Sequence, residues 1–194
     1  MSNITPVDSR VTIVAPPVGV SEVADEVRRQ QHGELRELDK VLLNSEPFTQ
    51  GWQAMFSQIR YNSTVPGDIR EIMILRVAAL EGAAYEWRLH EDIGRKEGLT
   101  TEQLLLIRDS TFSPHGRKPS PFTEAQLAAI AFTDASTRNA HIPDSIFREF
   151  KKHMKTDRQV VEATLTVAGY NMVARILIAL NVDGASEDPV PIPQ

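Results

Sequence analysis

Residues 70–100 read REIMILRVAALEGAAYEWRLHEDIGRKEGLT, and this run decides the fold. From Ile72 to Leu80 almost every position is apolar, so a helix here has no solvent face and belongs at the centre of the molecule. Gly82 breaks the run and is placed to end or bend that helix. A second helix is expected from Ala83 to Lys96, closing near Gly98. Three ionisable groups, Glu71, Glu86 and His90, are set into this apolar region. Burying such groups without partners is costly, so acids and an imidazole placed here are candidates for proton transfer.

Spacing sharpens the question. Glu86 and His90 are four residues apart and share one helix face, with Ala83 and Ile93 continuing the stripe. They form either an acid–base pair, with a carboxylate orienting the imidazole, or a surface pair worth about 0.2–0.5 kcal/mol. Glu71 is either part of the same site or the acidic first-turn residue of a helix capped by Asp68. In one unbroken helix Glu71 and His90 would lie roughly 28 Å apart, at about 1.5 Å per residue. They meet only if the chain reverses near Gly82 or if two protomers bring them together. Tyr85 and Trp87 are candidates to line a pocket for a planar or unsaturated substrate, or else packing residues. Arg76, inside the apolar helix, is a candidate anchor for a substrate carboxylate or one half of a structural ion pair. Trp52 and Tyr61 read as packing residues, and Tyr170 and Asn171 either as polar contacts from the last helix or, the commoner case, as satisfied core hydrogen bonds.

Outward from this block the pattern stays helical, with no alternating strand pattern between hairpin turns. Residues 1–20 lack a helical period and read as an extended arm. Residues 21–182 form one helical domain. Its helices are expected at Ser21–Gln30, Glu34–Leu43 and from Pro47, the last with Phe48, Trp52, Met55, Phe56 and Ile59 as one buried stripe. Further helices cover Ile69–Glu81, Glu102–Arg108 and about 123–139, the last two opened by the capping boxes Thr100/Gln103 and Thr123/Gln126. Pro143 begins another, and Arg158–Leu180 the last. Residues 183–194, with three prolines, form a tail. The last helix is apolar enough to lie in the core and to pack on another copy of the chain.

Composition removes several function classes. The chain has 194 residues, 41% of them apolar, enough for one domain with its own core. A net charge of −5 with no basic cluster disfavours nucleic acid and anionic membrane. There is no cysteine, which excludes disulfides, thiolate catalysis and zinc–thiolate sites. Glu162, Asn171 and Arg175 interrupt the longest apolar stretch and argue against a membrane span. The N-terminus has no signal-peptide core, so a cytoplasmic protein is expected. His32, His115, His141 and His153 stand in separate segments without a metal-binding motif, so no metal is expected. No phosphate loop, GxGxxG or GxSxG motif occurs, so no nucleotide cofactor or serine nucleophile is expected.

The run at 70–100, with PFTQGWQAMFSQIRYNSTVPGDIRE before it and VAGYNMVARILIALNV after it, resembles the carboxymuconolactone decarboxylase family, which includes the alkylhydroperoxidase D-like proteins. The resemblance spans roughly Asn44 to Val182. It implies an all-α bundle whose protomers assemble as trimers or hexamers, with arm and tail wrapping neighbours. In peroxidase-type relatives a glutamate, a Cys-x-x-Cys pair and a histidine form the site. Glu71 and His90 occupy the glutamate and histidine positions here, and Ala83 and Glu86 the cysteine positions. A thiol peroxidase cycle is therefore contradicted, while the acid–base part is kept. Decarboxylase-type relatives act without metal or organic cofactor on an unsaturated lactone acid. The resemblance thus implies a cofactor-free lyase or isomerase, with His90 as proton donor oriented by Glu71 or Glu86. Two alternatives stand beside it. One is a non-catalytic oligomeric binding or scaffold protein. The other is an antioxidant working without thiols, for which no redox group is visible.

Overall fold

The computed structural model describes residues 9–114 and 119–194; the first eight residues of the expected arm, and His115, lie outside them. Among the described residues there are nine α-helices and no strand. They are α1 (Glu22–Gln30), α2 (Glu37–Leu42), α3 (Glu46–Ser57), α4 (Gly67–Glu81), α5 (Ala84–Lys96), α6 (Thr101–Arg108), α7 (Glu124–Asn139), α8 (Asp144–His153) and α9 (Asp157–Ala179).

α4 is the axis of the bundle and packs on α5, α6, α7 and α9. It buries Ile69, Ile72, Met73, Ile74, Leu75 and Val77 almost completely. At about 1.5–3 kcal/mol per large apolar side chain, this offsets the cost of the two charged side chains, Glu71 and Arg76, that the helix also carries inward. Gly82 caps α4 in the left-handed conformation (φ 76°), where a side chain would be strained. The N–H of Ala83 then returns to the carbonyl of Ala78 at 2.8 Å, and α5 runs back along α4. Gly94 lets the two helices close: a Cβ there would stand 3.0 Å from Leu75 Cδ1 and 3.7 Å from Glu71 Cβ. One turn before Gly94 on α5 is His90.

Both capping boxes form as the sequence predicts, at Thr100/Gln103 and Thr123/Gln126. Asp68 departs from its expected role. Pro66 is the N-cap of α4, its carbonyl accepting from Arg70 N–H at 2.9 Å. The Asp68 carboxylate instead accepts from Gln126 Nε2 at 2.9 Å, tying the starts of α4 and α7. α2 begins at Glu37 rather than Glu34. The buried stripe of α3 runs through Thr49, Trp52, Gln53 and Phe56, with Ile59 beyond it. Phe48 is off that phase and exposed, and Met55 is half-buried. α3 runs on into one turn of π-helix, Gln58–Asn62, which the sequence did not foretell.

The arm and the tail pack on their own chain. Arg10 N–H donates to the Leu180 carbonyl at 2.8 Å, and Val14 N–H to the Lys40 carbonyl at 3.0 Å. In the tail, Arg108 holds the carbonyls of Val190 and Pro191, and Arg95 Nη2 donates to that of Gln194 at 3.0 Å. α9 is long and apolar enough to cross a membrane by length and composition, yet half of its most apolar window is buried in the bundle. Its inner face carries Val160, Ala163, Val167, Tyr170, Val173 and Leu177.

Candidate active site

The reversal at Gly82 removes the long separation expected for a continuous helix. Glu71 Oε2 and His90 Nδ1 lie 2.8 Å apart, with both side chains buried. The geometry suits a neutral imidazole donating from Nδ1–H to the carboxylate. Nε2 is then the nitrogen left for chemistry. The second Glu71 oxygen meets Arg70 Nε at 3.3 Å, and Arg70 also reaches Glu97 at 3.7 Å. Tyr170 meets the imidazole ring edge-on, with centroids 5.0 Å apart, and Phe56 and Trp52 extend this aromatic row. Burial pushes the His90 pKa down, against the opposing pull of Glu71.

His90 lines a narrow cavity between α2, α5, α9 and the π-turn. Its walls include Asp39, Arg60, Tyr85, Glu86, His90 and Tyr170, and it holds about 30 Å³. Glu71 is not part of the lining; it holds the imidazole from behind. Glu86 is 1% exposed, and neither carboxyl oxygen has a hydrogen-bond partner among the described residues. Gln31, on the rim, has an unpartnered Oε1 as well. Burial, helped by the nearby Glu81 charge and opposed by Arg60, raises the Glu86 pKa well above its ordinary value. Glu86 lies in the first turn of α5, where the helix dipole favours a carboxylate by about 0.3–1 kcal/mol. Desolvating an ion costs several kcal/mol, so the neutral acid is favoured. Of the two carboxylates that could orient the imidazole, Glu71 does so; among the described residues no hydrogen bond joins Glu86 to His90.

Of the candidate substrate-binding residues, Tyr85 lines the cavity, with its hydroxyl near the Leu38 backbone and burial raising its pKa to about 12. Trp87 does not reach it. It is fully buried and donates from Nε1–H to Glu91 at 2.7 Å. Arg76 does not reach it either. Its Nε and Nη2 hold the Asp134 carboxylate at 2.6 and 2.9 Å. Its remaining donors meet the carbonyls of Ile107, Asp109 and Phe112 at 2.7–3.0 Å. All five N–H groups are used, so Arg76 is a structural clamp and not a carboxylate anchor.

Among the polar residues of the cavity, Arg60 and Asp39 were not singled out by the sequence, and Tyr170 was read only as a polar contact or core hydrogen bond of the last helix. Arg60 sits inside the π-turn, over the Phe56 ring at 5.5 Å, with Nε 3.4 Å from the Tyr170 hydroxyl. Asp39, 4% exposed, accepts from Arg36 N–H and Gln53 Nε2, and burial raises its pKa. One sequence signal was available for Asp39: it lies between Leu38 and Val41, on the inward side of a short amphipathic helix. Among the described residues no cluster of three His, Asp or Glu side chains is placed to hold a metal ion.

Comparison with known proteins bears on the fold. Residues 46–117 match the model of the carboxymuconolactone decarboxylase family. No curated protein shows significant similarity to the sequence. Three crystal structures share the fold. An alkylhydroperoxidase AhpD core from Ralstonia eutropha, an uncharacterized peroxidase-related protein, has a TM-score of 0.72 at 14% identity, covering 90% of each chain. An uncharacterized peroxidase-related protein from a Silicibacter species has a TM-score of 0.65 at 17% identity, covering 81% of this chain and 80% of its own. A protein of unknown function from Agrobacterium tumefaciens, a candidate antioxidant defence protein AhpD, has a TM-score of 0.62 at 22% identity, covering 78% and 97%. The described residues thus share the all-helical alkylhydroperoxidase D-like fold of these structures, and residues 46–117 match the carboxymuconolactone decarboxylase family model in a sequence with no cysteine.

Proposed function

We propose that the protein is a cytoplasmic, cofactor-independent lyase or isomerase acting on a small unsaturated acid or carboxylated lactone. The observation that carries this reading is a pair of titratable groups in one cavity whose surroundings push them in opposite directions. Glu86 is driven toward the protonated acid and His90 toward the free base. Such divergence is how a site assigns acid and base roles near neutral pH. It reverses the roles expected from the sequence: Glu86 gives the proton and His90 Nε2 takes one, with Glu71 fixing the tautomer.

In an isomerisation, His90 removes a proton next to a carbonyl, the electron pair moves into the conjugated system, and Glu86 protonates the far carbon. In a decarboxylation, the C–C bond to the carboxylate breaks and its electron pair enters the conjugated carbonyl. Glu86 then protonates the resulting carbon centre. Self-association, expected from the sequence, has a surface to use: the outer face of α9 exposes Val161, Leu165 and Met172.

A panel of lactone acids and β,γ-unsaturated acids, followed by ultraviolet absorbance with no added metal, tests the reading. Turnover should appear on at least one member and fall about 10²–10⁴-fold in Glu86→Gln. The same variant carries a stability signature. Because folding raises the Glu86 pKa, its contribution is fully present below the unfolded value of 4.5 and is lost as pH rises through the folded value. Glu86→Gln should therefore be more stable than the wild type, by a margin that widens above about pH 4.5. One observation favours the second reading, a non-catalytic binding protein. The cavity's 30 Å³ is room for a water or two, far below the roughly 300–1,000 Å³ of ligand sites. Catalysis therefore needs the rim at Gln31–Arg36 to move. Between the lining residues Gln31 and Arg36 the chain passes through His32 and Gly33, both with positive φ. A folded protein that neither turns over nor binds any member of the panel would establish the second reading.

A further inference from the structure

We infer that Arg60 is the anion-binding residue of the cavity, and that the ligand it receives carries a carboxylate. The inference deepens the acid–base reading of the same cavity and rests on it for the chemistry, though not for the binding.

Arg60 lines the cavity, yet among the described residues its hydrogen bonding is limited to the long contact from Nε to the Tyr170 hydroxyl. Among the described residues no carboxylate lies within 4 Å of its guanidinium. Neither acid that shares its cavity touches it. Asp39 attracts Arg60 only through space, its oxygens being bonded to the Arg36 N–H and to Gln53. Glu86 is held in an environment that favours its neutral form. A largely buried guanidinium held only by a long hydrogen bond, a ring face and through-space attraction has its fork free, and that planar fork matches a carboxylate through two parallel N–H···O contacts.

The position is built rather than incidental. The π-turn at Gln58–Asn62 carries Arg60 across the face of Phe56 and up to Tyr170 of α9. π-turns within helices recur at functional sites. Opposite Arg60, on α5, stand Glu86 and His90, the acid and base of the proposed chemistry. A carboxylate held by Arg60 would place the rest of a small molecule against them.

The test uses formate as probe and formamide as its uncharged isostere, both small enough for the cavity. Binding is read at constant ionic strength from the indole ¹⁵N–¹H resonance of Trp52, which lines the cavity. Formate should shift that resonance saturably, with a Kd roughly in the millimolar range for three heavy atoms, and formamide should not. Arg60→Met, which keeps the stem over Phe56, should weaken formate at least tenfold and should not lower the melting temperature. Arg60→Lys keeps the charge without the fork and should give an intermediate affinity; it serves if the methionine variant does not fold. The inference is overturned if formate fails to bind the wild type, or if formamide binds equally. It is also overturned if each variant that folds binds formate as the wild type does. Formate binding without turnover on any lactone or unsaturated acid would leave Arg60 assigned and remove the lyase reading.

Discussion

Replacing His90 by Gln is expected to lower turnover about 10²–10⁴-fold while the protein stays folded. Glutamine can still donate to Glu71 across the 2.8 Å gap that Nδ1 now spans, so the buried carboxylate keeps a partner. What is lost is a base on the cavity side. The wild-type pH–rate profile should be bell-shaped. Its acid limb falls where His90 takes up a proton, below the ordinary 6.5 because burial depresses it. Its alkaline limb falls where Glu86 loses one, above 4.5. As the two groups share a cavity, the limbs belong to the pair. Glu86→Gln should remove the alkaline limb from whatever activity remains. Full activity in a folded His90→Gln protein would exclude the histidine from the chemistry.

The second large effect is on stability. Arg76→Leu should cost about 3–5 kcal/mol, the range for removing one partner of a buried pair. Leucine fills part of the space but leaves Asp134 without its bidentate partner and the carbonyls of Ile107 and Asp109 without their donor. The clamp joins α4 to α7 and to the segment after α6, so its loss should loosen three elements together. Urea unfolding measures it. A cost below about 1 kcal/mol, in the range of an exposed pair, together with a raised KM, would return Arg76 to the role of substrate anchor.

The parts of this molecule that were legible in its sequence are those set by local chemistry. The apolar run from Ile72 to Leu80 demands a central helix, and Gly82 permits the left-handed turn that ends it. Two capping boxes announce α6 and α7 because their bonds span three residues. Glu71 and His90 stood out through their spacing in the family resemblance, and the turn at Gly82 explains how they meet. Contacts across long separations were not legible. Nothing near Arg76 points to Asp134, 58 residues away, and nothing near Arg60 points to Tyr170, 110 residues away. Phe48 was placed inside because an apolar residue after Pro47 fits a stripe. The phase set by Thr49, Trp52, Gln53 and Phe56 excludes it. Asp68 looked like a cap because capping was read from one helix alone, whereas its partner, Gln126, comes from another. Helix geometry allows Glu86 to pair with His90, but the spacing does not show that Glu86 is buried without a hydrogen-bond partner, which favours its neutral form.

The most direct test is the imidazole ¹⁵N spectrum of His90 followed as a function of pH. A neutral ring is expected at pH 7 with the proton on Nδ1, bonded to Glu71, an unprotonated Nε2, and protonation only below the ordinary histidine value of 6.5. A ring protonated on Nε2 at neutral pH, or one titrating at or above 6.5 like an exposed histidine, would contradict the account.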